Sequence, residues 1–197
     1  VRRALNACAW LDLQPAWLDA REAETAFELL LAELRWEQRE IILFGKAVLQ
    51  PRLIAWAGAL PYRYSGQTLE RRPATLFTRE LLERVIQTTG SSFNHVLINR
   101  YRNGQDSMGM HSDSEPELGK DPVVATLSLG ATRSFQLAPR VSTPPTRAQS
   151  VRLELTSGSL LTMGGTCQRD YRHGIPKTKK AIGERISLTF RQILADK

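Results

Sequence analysis

The chain has 197 residues, of which 42% are apolar and 24% charged, with a formal charge of +7. This composition excludes a disordered segment and suits one soluble domain with a real core. The basic balance fits a polyanionic partner, nucleic acid first, and fits plain solubility equally well.

Asp19 to Leu34 is expected to be a helix: Asp19 can cap it, and Ala23, Ala26, Phe27, Leu30, Leu31 and Leu34 recur at helical spacing. Short apolar runs at Ile41-Ile42-Leu43-Phe44 and Arg52-Leu53-Ile54-Ala55-Trp56 read as strands. Thr78 to Thr88 is expected as a second helix, with Leu81, Leu82, Val85 and Ile86 on one side and Gly90 as its stop. His95 to Asn99, Val123 to Leu129, Ser134 to Leu137, Val151 to Leu155, Ser159 to Met163 and Arg185 to Phe190 read as further strands. Arg102-Asn103-Gly104, Thr143-Pro144-Pro145 and Ser157-Gly158 are turn signals, and Pro139 to Ser150 reads as an exposed loop. Two early helices followed by many short strands predict a mainly β fold with supporting helices, a helix-buttressed sandwich or jelly roll. No repeat and no domain linker divides the chain, so residues 1–197 are expected to form a single domain.

Cys8 and Cys167 make no disulfide framework, and both are expected to be reduced thiols in a cytoplasmic protein. No apolar run approaches the length of a membrane span. The chain opens on Val1-Arg2-Arg3-Ala4, without the apolar stretch of a signal peptide. It also opens without Met, which leaves room for residues upstream.

The chain contains three histidines: His95, His111 and His173. His111 and Asp113 are separated by one residue, so near a strand end both side chains point to one side. A later strand can add His173. Two imidazoles and one carboxylate on one octahedral face leave three positions open, which is the facial triad of non-haem Fe(II) oxygenases. A solitary His-x-Asp is weak evidence, and a histidine beside glycine is ordinarily a loop residue. His95 starts an apolar strand and receives no metal role.

Arg185-Ile186-Ser187-Leu188-Thr189-Phe190-Arg191 strengthens that reading. On a strand the two arginines share a face with Ser187 and Thr189, while Ile186, Leu188 and Phe190 take the other. Each arginine offers a two-pronged fork to a carboxylate, which suits a dicarboxylate co-substrate. The ordinary alternative is a pair of solvated edge-strand arginines.

With these residues together, the chain resembles the AlkB-type DNA and RNA alkylation-repair dioxygenases. The resemblance is carried by Leu97-Ile98-Asn99-Arg100-Tyr101, by His111-Ser112-Asp113-Ser114-Glu115-Pro116, and by Val124 to Gly130 with Ala131-Thr132-Arg133. His173-Gly174, Arg185 to Arg191, Pro51-Arg52 and Pro61-Tyr62-Arg63-Tyr64-Ser65-Gly66 complete it. It spans roughly residues 36 to 193.

The resemblance implies a double-stranded β-helix over about 91–193. The N-terminal helices and a nucleotide-recognition lid would occupy about 1–90. It implies that His111, Asp113 and His173 bind Fe(II), and that Asn99, Tyr101, Arg185, Ser187 and Arg191 surround 2-oxoglutarate. Arg185 would clamp the far carboxylate, with Arg191 nearer the metal beside Asp113. Ser187 stands where family members often carry asparagine, which puts the co-substrate affinity in doubt. Glu115 would read the exocyclic amino group of a damaged base, with Tyr62, Tyr64 and Trp56 among the substrate contacts. Phe44, in Phe44-Gly45-Lys46, would fill the gap left by a flipped base; equally, it could simply end a core strand. Tyr62 and Tyr64 have the bland alternative of half-buried aromatics, and Glu115 that of an exposed loop carboxylate. Arg71-Arg72 and Lys177, Lys179 and Lys180 could hold phosphates or be solvated charges.

The implied activity is oxidative demethylation of 1-methyladenine and 3-methylcytosine in DNA, with RNA open as well. 2-Oxoglutarate and O₂ would be consumed, and succinate, CO₂ and formaldehyde released. A monomer with no membrane partner is expected, cytoplasmic, or nucleoid-associated in a bacterium, with a nucleus also open. The rivals are a related oxygenase acting on protein, lipid or a small molecule, and a non-enzymatic nucleic-acid-binding module.

Overall fold

Helix α1, Ala20–Glu33, begins where Asp19 caps it. The Glu22 N–H donates to the Asp19 carboxylate at 2.8 Å, and the Asp19 N–H donates to the Glu22 carboxylate at 3.0 Å. This reciprocal box satisfies N–H groups that no helix turn can reach. Ala23, Ala26 and Leu30 form its buried stripe. Helix α2, Leu76–Thr89, starts ahead of the expected Thr78, because the hydroxyl of Thr75 caps it by accepting from the Thr78 N–H at 3.1 Å. It stops at Gly90, whose φ of 69° is left-handed and suits glycine.

The structure is a computed structural model that describes residues 2–43, 45–64, 66–140 and 150–195, without the side chains of Ile42 and Leu43. Phe44, Ser65 and most of the expected 139–150 loop lie outside the described residues.

Seven strands form the larger sheet: β1 (Arg2–Ala4), β2 (Ala9–Gln14), β5 (Leu53–Gly58), β8 (His95–Tyr101), β10 (Val124–Gly130), β13 (Ser159–Gly165) and β15 (Arg185–Arg191). Their order is β1-β2-β13-β10-β15-β8-β5. The smaller sheet holds β9 (Met108–His111), β11 (Arg133–Pro139), β12 (Val151–Leu155) and β14 (Tyr171–Ile175) in the order β12-β11-β14-β9. Two hairpins, β3 (Glu40–Leu43) with β4 (Lys46–Leu49) and β6 (Tyr62–Tyr64) with β7 (Gln67–Leu69), stand outside both sheets. The expectation of helices first is corrected at the N-terminus: β1 and β2 precede α1, and β2 pairs with β13.

Strand alternation then sorts the side chains into two layers. On one face of the larger sheet, Ile98, Leu127, Leu188 and Phe190 pack with Leu30 of α1 and with Leu81 and Val85 of α2. Toward the other face, Leu11, Val124, Leu161 and Met163 meet Phe135, Leu137, Val151 and Leu155 of the smaller sheet. A third cluster of Ile54, Trp56, Tyr62, Tyr64, Leu69 and Leu97 underlies the β6–β7 hairpin. Among the described residues no helix is long and apolar enough to cross a membrane.

Leu188 sits at the centre of β15 and is wholly buried against the helices. Leu188→Ala is expected to lower stability by about 3 kcal/mol, read from the midpoint of urea denaturation, through lost burial and an unfilled cavity.

Candidate metal centre

β9 and β14 pair antiparallel with His111 directly opposite His173, and the two rings lie 4.4 Å apart between centroids. Gly174 permits this close approach. A Cβ at that position would lie 2.8 Å from the Met108 carbonyl oxygen and 3.0 Å from that of Gly109. Beyond β9 the chain is pinned by two hydrogen bonds. The Ser112 hydroxyl donates to the Tyr171 carbonyl at 2.7 Å, and the Asp113 N–H donates to the Gln168 side-chain oxygen at 3.0 Å. Asp113 thereby joins the histidines, and one potential ligand atom from each of the three residues lies within 4.8 Å of the others.

Asp113 is 1% exposed. Burial pushes its carboxyl pKa up, but Arg191, His173 and His111 outweigh burial and hold it below the usual carboxylate range. Nε and Nη2 of Arg191 both donate to Oδ1, at 3.0 and 2.7 Å. Oδ2 is buried without a hydrogen-bond partner and lies 3.5 Å from Nε2 of His173. Burial pushes the His173 imidazole down to about 3, with His111 adding to the effect, so at neutral pH the ring is uncharged. Phe135 stacks on it at 5.4 Å between centroids. Nδ1 of His111 lies 3.0 Å from the Gly109 carbonyl oxygen, and in the tautomer that donates this bond Nε2 is the nitrogen left to coordinate. Two imidazoles and a carboxylate with one free oxygen fit a divalent cation such as iron(II), with outer bonds orienting His111 and Asp113 and the Phe135 ring packed on His173.

The β15–β8 register places Tyr101 opposite Arg185, Asn99 opposite Ser187 and His95 opposite Arg191. Asn99, Tyr101, Arg185, Ser187 and Arg191 share one cavity with His111 and His173. Arg185 is 1% exposed, and its Nη2 donates to the hydroxyls of Ser128 at 2.8 Å and Ser187 at 3.3 Å. Its Nε and Nη1 are buried without partners, and its Cζ lies 5.1 Å from the centre of the Tyr101 ring. A buried cation left this way is costly, and a carboxylate in the cavity would relieve it. Ser187, where an asparagine would be longer, thus supports the guanidinium.

The remaining expected substrate contacts divide. Glu115 is half-buried, and burial, with Asp113 next, raises its carboxyl pKa. Tyr62 is fully buried, with its ring edge against His95 at 5.0 Å and Cζ of Arg191 5.6 Å from its centre. Tyr64 is buried beside it in β6. Trp56 is not brought to the cavity. Its indole N–H donates to the Glu70 carbonyl at 2.7 Å, and the Arg72 guanidinium covers its ring at 3.6 Å. Arg72 is also paired with Glu37 at 2.7 Å, whereas Lys177, Lys179 and Lys180 are exposed. Phe44 lies outside the described residues. Sequence reasoning missed Ser112, Phe135 and Gln168. Gln168 is a short-range neighbour of His173, but nothing in its surroundings in the sequence marks it as a support.

The family model for the 2OG-Fe(II) oxygenase superfamily matches residues 11–191. The chain is 42% identical to the alpha-ketoglutarate-dependent dioxygenase alkB homolog 3 of Bos taurus over 191 residues, 93% of this chain and 66% of that protein. It therefore spans slightly less than two thirds of that relative's length. It is 37% identical to the DNA oxidative demethylase ALKBH2 of Homo sapiens, covering 89% of this chain and 70% of that protein. The solved structure of OsALKBH1 superposes with a TM-score of 0.65 at 17% identity, covering 92% of this chain and 97% of that one, a likeness of fold.

Arg191→Met is expected to destabilise the protein by about 3 kcal/mol or more in urea denaturation at neutral pH, because Asp113 is left as an uncompensated buried charge. His95 makes a second prediction. Burial, with Arg191 next, pushes its imidazole from 6.5 down to about 3. The unfolded chain therefore binds the extra proton first, and stability present above about 6.5 is lost as pH falls toward 3. Between pH 7 and 4.5 the wild type should lose more stability than His95→Phe, by up to about 1.4 kcal/mol per pH unit. Parallel losses would show that His95 is not the group responsible.

Proposed function

The chain belongs to the 2OG-Fe(II) oxygenase superfamily, and from that premise we propose that it oxidatively removes N-methyl groups from 1-methyladenine and 3-methylcytosine in DNA, and in RNA. One observation carries the reading. His111 and His173, two members of a His/Asp cluster that could hold a metal ion, line one cavity with Arg185, a buried guanidinium with no acidic partner among the described residues. Curated relatives named as an alpha-ketoglutarate-dependent dioxygenase and a DNA oxidative demethylase support the substrate class.

His111, Asp113 and His173 would hold iron(II), and Arg185 would clamp the distal carboxylate of 2-oxoglutarate, with Asn99 and Tyr101 beside it. Bound together, iron(II) and 2-oxoglutarate supply oxidation of the N-methyl group by O₂, giving the restored base, formaldehyde, succinate and CO₂. The protein's own contributions are orientation and the exclusion of water. Arg191 keeps Asp113 ionised and leaves Oδ2 available to the metal. Glu115, two residues beyond Asp113, would accept from the exocyclic amino group of the base. The hairpin bearing Tyr62 and Tyr64 would cover the base, and Lys177, Lys179 and Lys180 would meet phosphates. The same reading takes the chain as one domain, a monomer, acting in the cytoplasm, the nucleoid or the nucleus.

The test is formaldehyde release from matched methylated single-stranded DNA, duplex DNA and RNA, with iron(II), 2-oxoglutarate and ascorbate. Release should match succinate one for one. His111→Ala should reduce it more than a hundredfold while the circular dichroism spectrum is retained. Succinate formation without formaldehyde from any of the three polymers would move the substrate to another class. Undiminished turnover by His111→Ala would refute the metal assignment.

A further inference from the structure

Arg52 stands just before β5, is 5% exposed, and sends its nitrogens to three separate parts of the fold. Nε donates to Oδ1 of Asn99 on β8 at 2.9 Å, and Nη2 donates to the Tyr64 hydroxyl on β6 at 2.7 Å. Nη1 donates to the Ser107 carbonyl at 3.2 Å. Ser107 immediately precedes β9, the strand that ends in His111, and its own N–H donates back to the Pro51 carbonyl at 2.9 Å. All three acceptors are neutral. The guanidinium is therefore held by geometry, not by a counter-charge, and no single partner would retain it.

These bonds decide the orientation of the groups they touch. A guanidinium only donates, so Asn99 must turn its oxygen to Arg52. Its Nδ2 is then the atom left to serve the cavity that Asn99 lines with Arg185 and Ser187. The Tyr64 oxygen accepts, so that hydroxyl keeps its own proton to donate.

We propose that Arg52 is a positioning residue that ties the cavity to the hairpin above it: it presents the amide N–H₂ of Asn99 to the co-substrate carboxylate and fixes the Tyr64 ring in the hairpin that covers the base. This rests on the reading given under Proposed function. Lysine keeps the charge but has one tetrahedral ammonium, which cannot span a fork of three separated acceptors. Because the three bonds share one planar group, removing the Tyr64 hydroxyl loosens Arg52 and is felt at Asn99, although Tyr64 lies in the lid.

The experiment uses the full chain loaded with manganese(II), which binds without turnover. 2-Oxoglutarate affinity is measured by calorimetry, and affinity for single-stranded DNA carrying 3-methylcytosine by fluorescence anisotropy. Arg52→Lys should weaken both roughly tenfold. Tyr64→Phe, which keeps the ring, should weaken 2-oxoglutarate about threefold while the melting temperature stays close to that of the wild type. A merely structural Arg52 would lower the melting temperature of Arg52→Lys and leave both affinities intact, which overturns the proposal. Unchanged 2-oxoglutarate affinity in Tyr64→Phe overturns the link between lid and co-substrate. Failure of the wild type itself to bind 2-oxoglutarate would remove the co-substrate reading and this inference together, whereas wild-type binding matched by Arg52→Lys removes this inference alone.

Discussion

The two hydrogen bonds from Arg191 to Oδ1 of Asp113 join the larger sheet to the loop that leaves the smaller one. Both donors converge on the same oxygen, so the carboxylate is neutralised on one side and open on the other. A buried carboxylate without such a partner would take up a proton and cease to be a good ligand. The arginine thus does by charge what Ser112 and Gln168 do by geometry: it keeps Asp113 ionised while they aim it. The nearness of the two imidazoles comes from strand pairing, because His111 and His173 are neighbours across β9 and β14.

A polar seam inside a β-sandwich must be balanced elsewhere, and here β15 performs both tasks. Its Ile186, Leu188 and Phe190 lie in the helix-backed layer, where each fully buried side chain contributes about 1.5–3 kcal/mol. Its other face carries Arg185, Ser187, Thr189 and Arg191 into the interior. Pairing with β8 and β10 supplies partners for part of this face, including Ser128 for Arg185. What the sheet does not satisfy points into the cavity. The surrounding layers hold the strand on both edges, while Nε and Nη1 of Arg185 are left without partners among the described residues.

The sequence was most informative where physical periodicity governs. Both helices lie close to their expected positions, since their apolar spacing and the cap at Asp19 are local signals. β8, β10, β13 and β15 were legible for the same reason. The strands carrying His111 and His173 were not: Met108-Gly109-Met110-His111 and Tyr171-Arg172-His173-Gly174-Ile175 lack a clean apolar alternation. Gly174 resembled a loop residue, but it is needed for close strand approach. Trp56, expected among the substrate contacts, looks alike in sequence whether it faces a ligand or lies under an arginine; in the fold its indole N–H is bound to Glu70, the guanidiniums of Arg72 and Arg39 lie over its ring, and it is not among the residues lining the cavity. Arg52 could be seen as part of a resemblance, but its three partners are 12, 47 and 55 residues away and no local pattern names them.

The interior also changes the meaning of the +7 charge. Arg52, Arg133, Arg185 and Arg191 are all buried, and among the described residues only Arg191 of these has a hydrogen-bonded carboxylate partner. Three unpaired positive charges therefore belong to the inside of the protein and attract no polyanion at its surface. Arg133 is held by the backbone carbonyls of Asn103, Asp106 and Pro176, which fastens the turn after β8 to the segment after β14. Arg72 is likewise engaged with Glu37 and Trp56. The surface field is thus weaker than the formal charge suggests, and lies with exposed groups such as Lys177, Lys179 and Lys180. The basic composition reflects arginines used inside the fold at least as much as it advertises a phosphate-binding exterior.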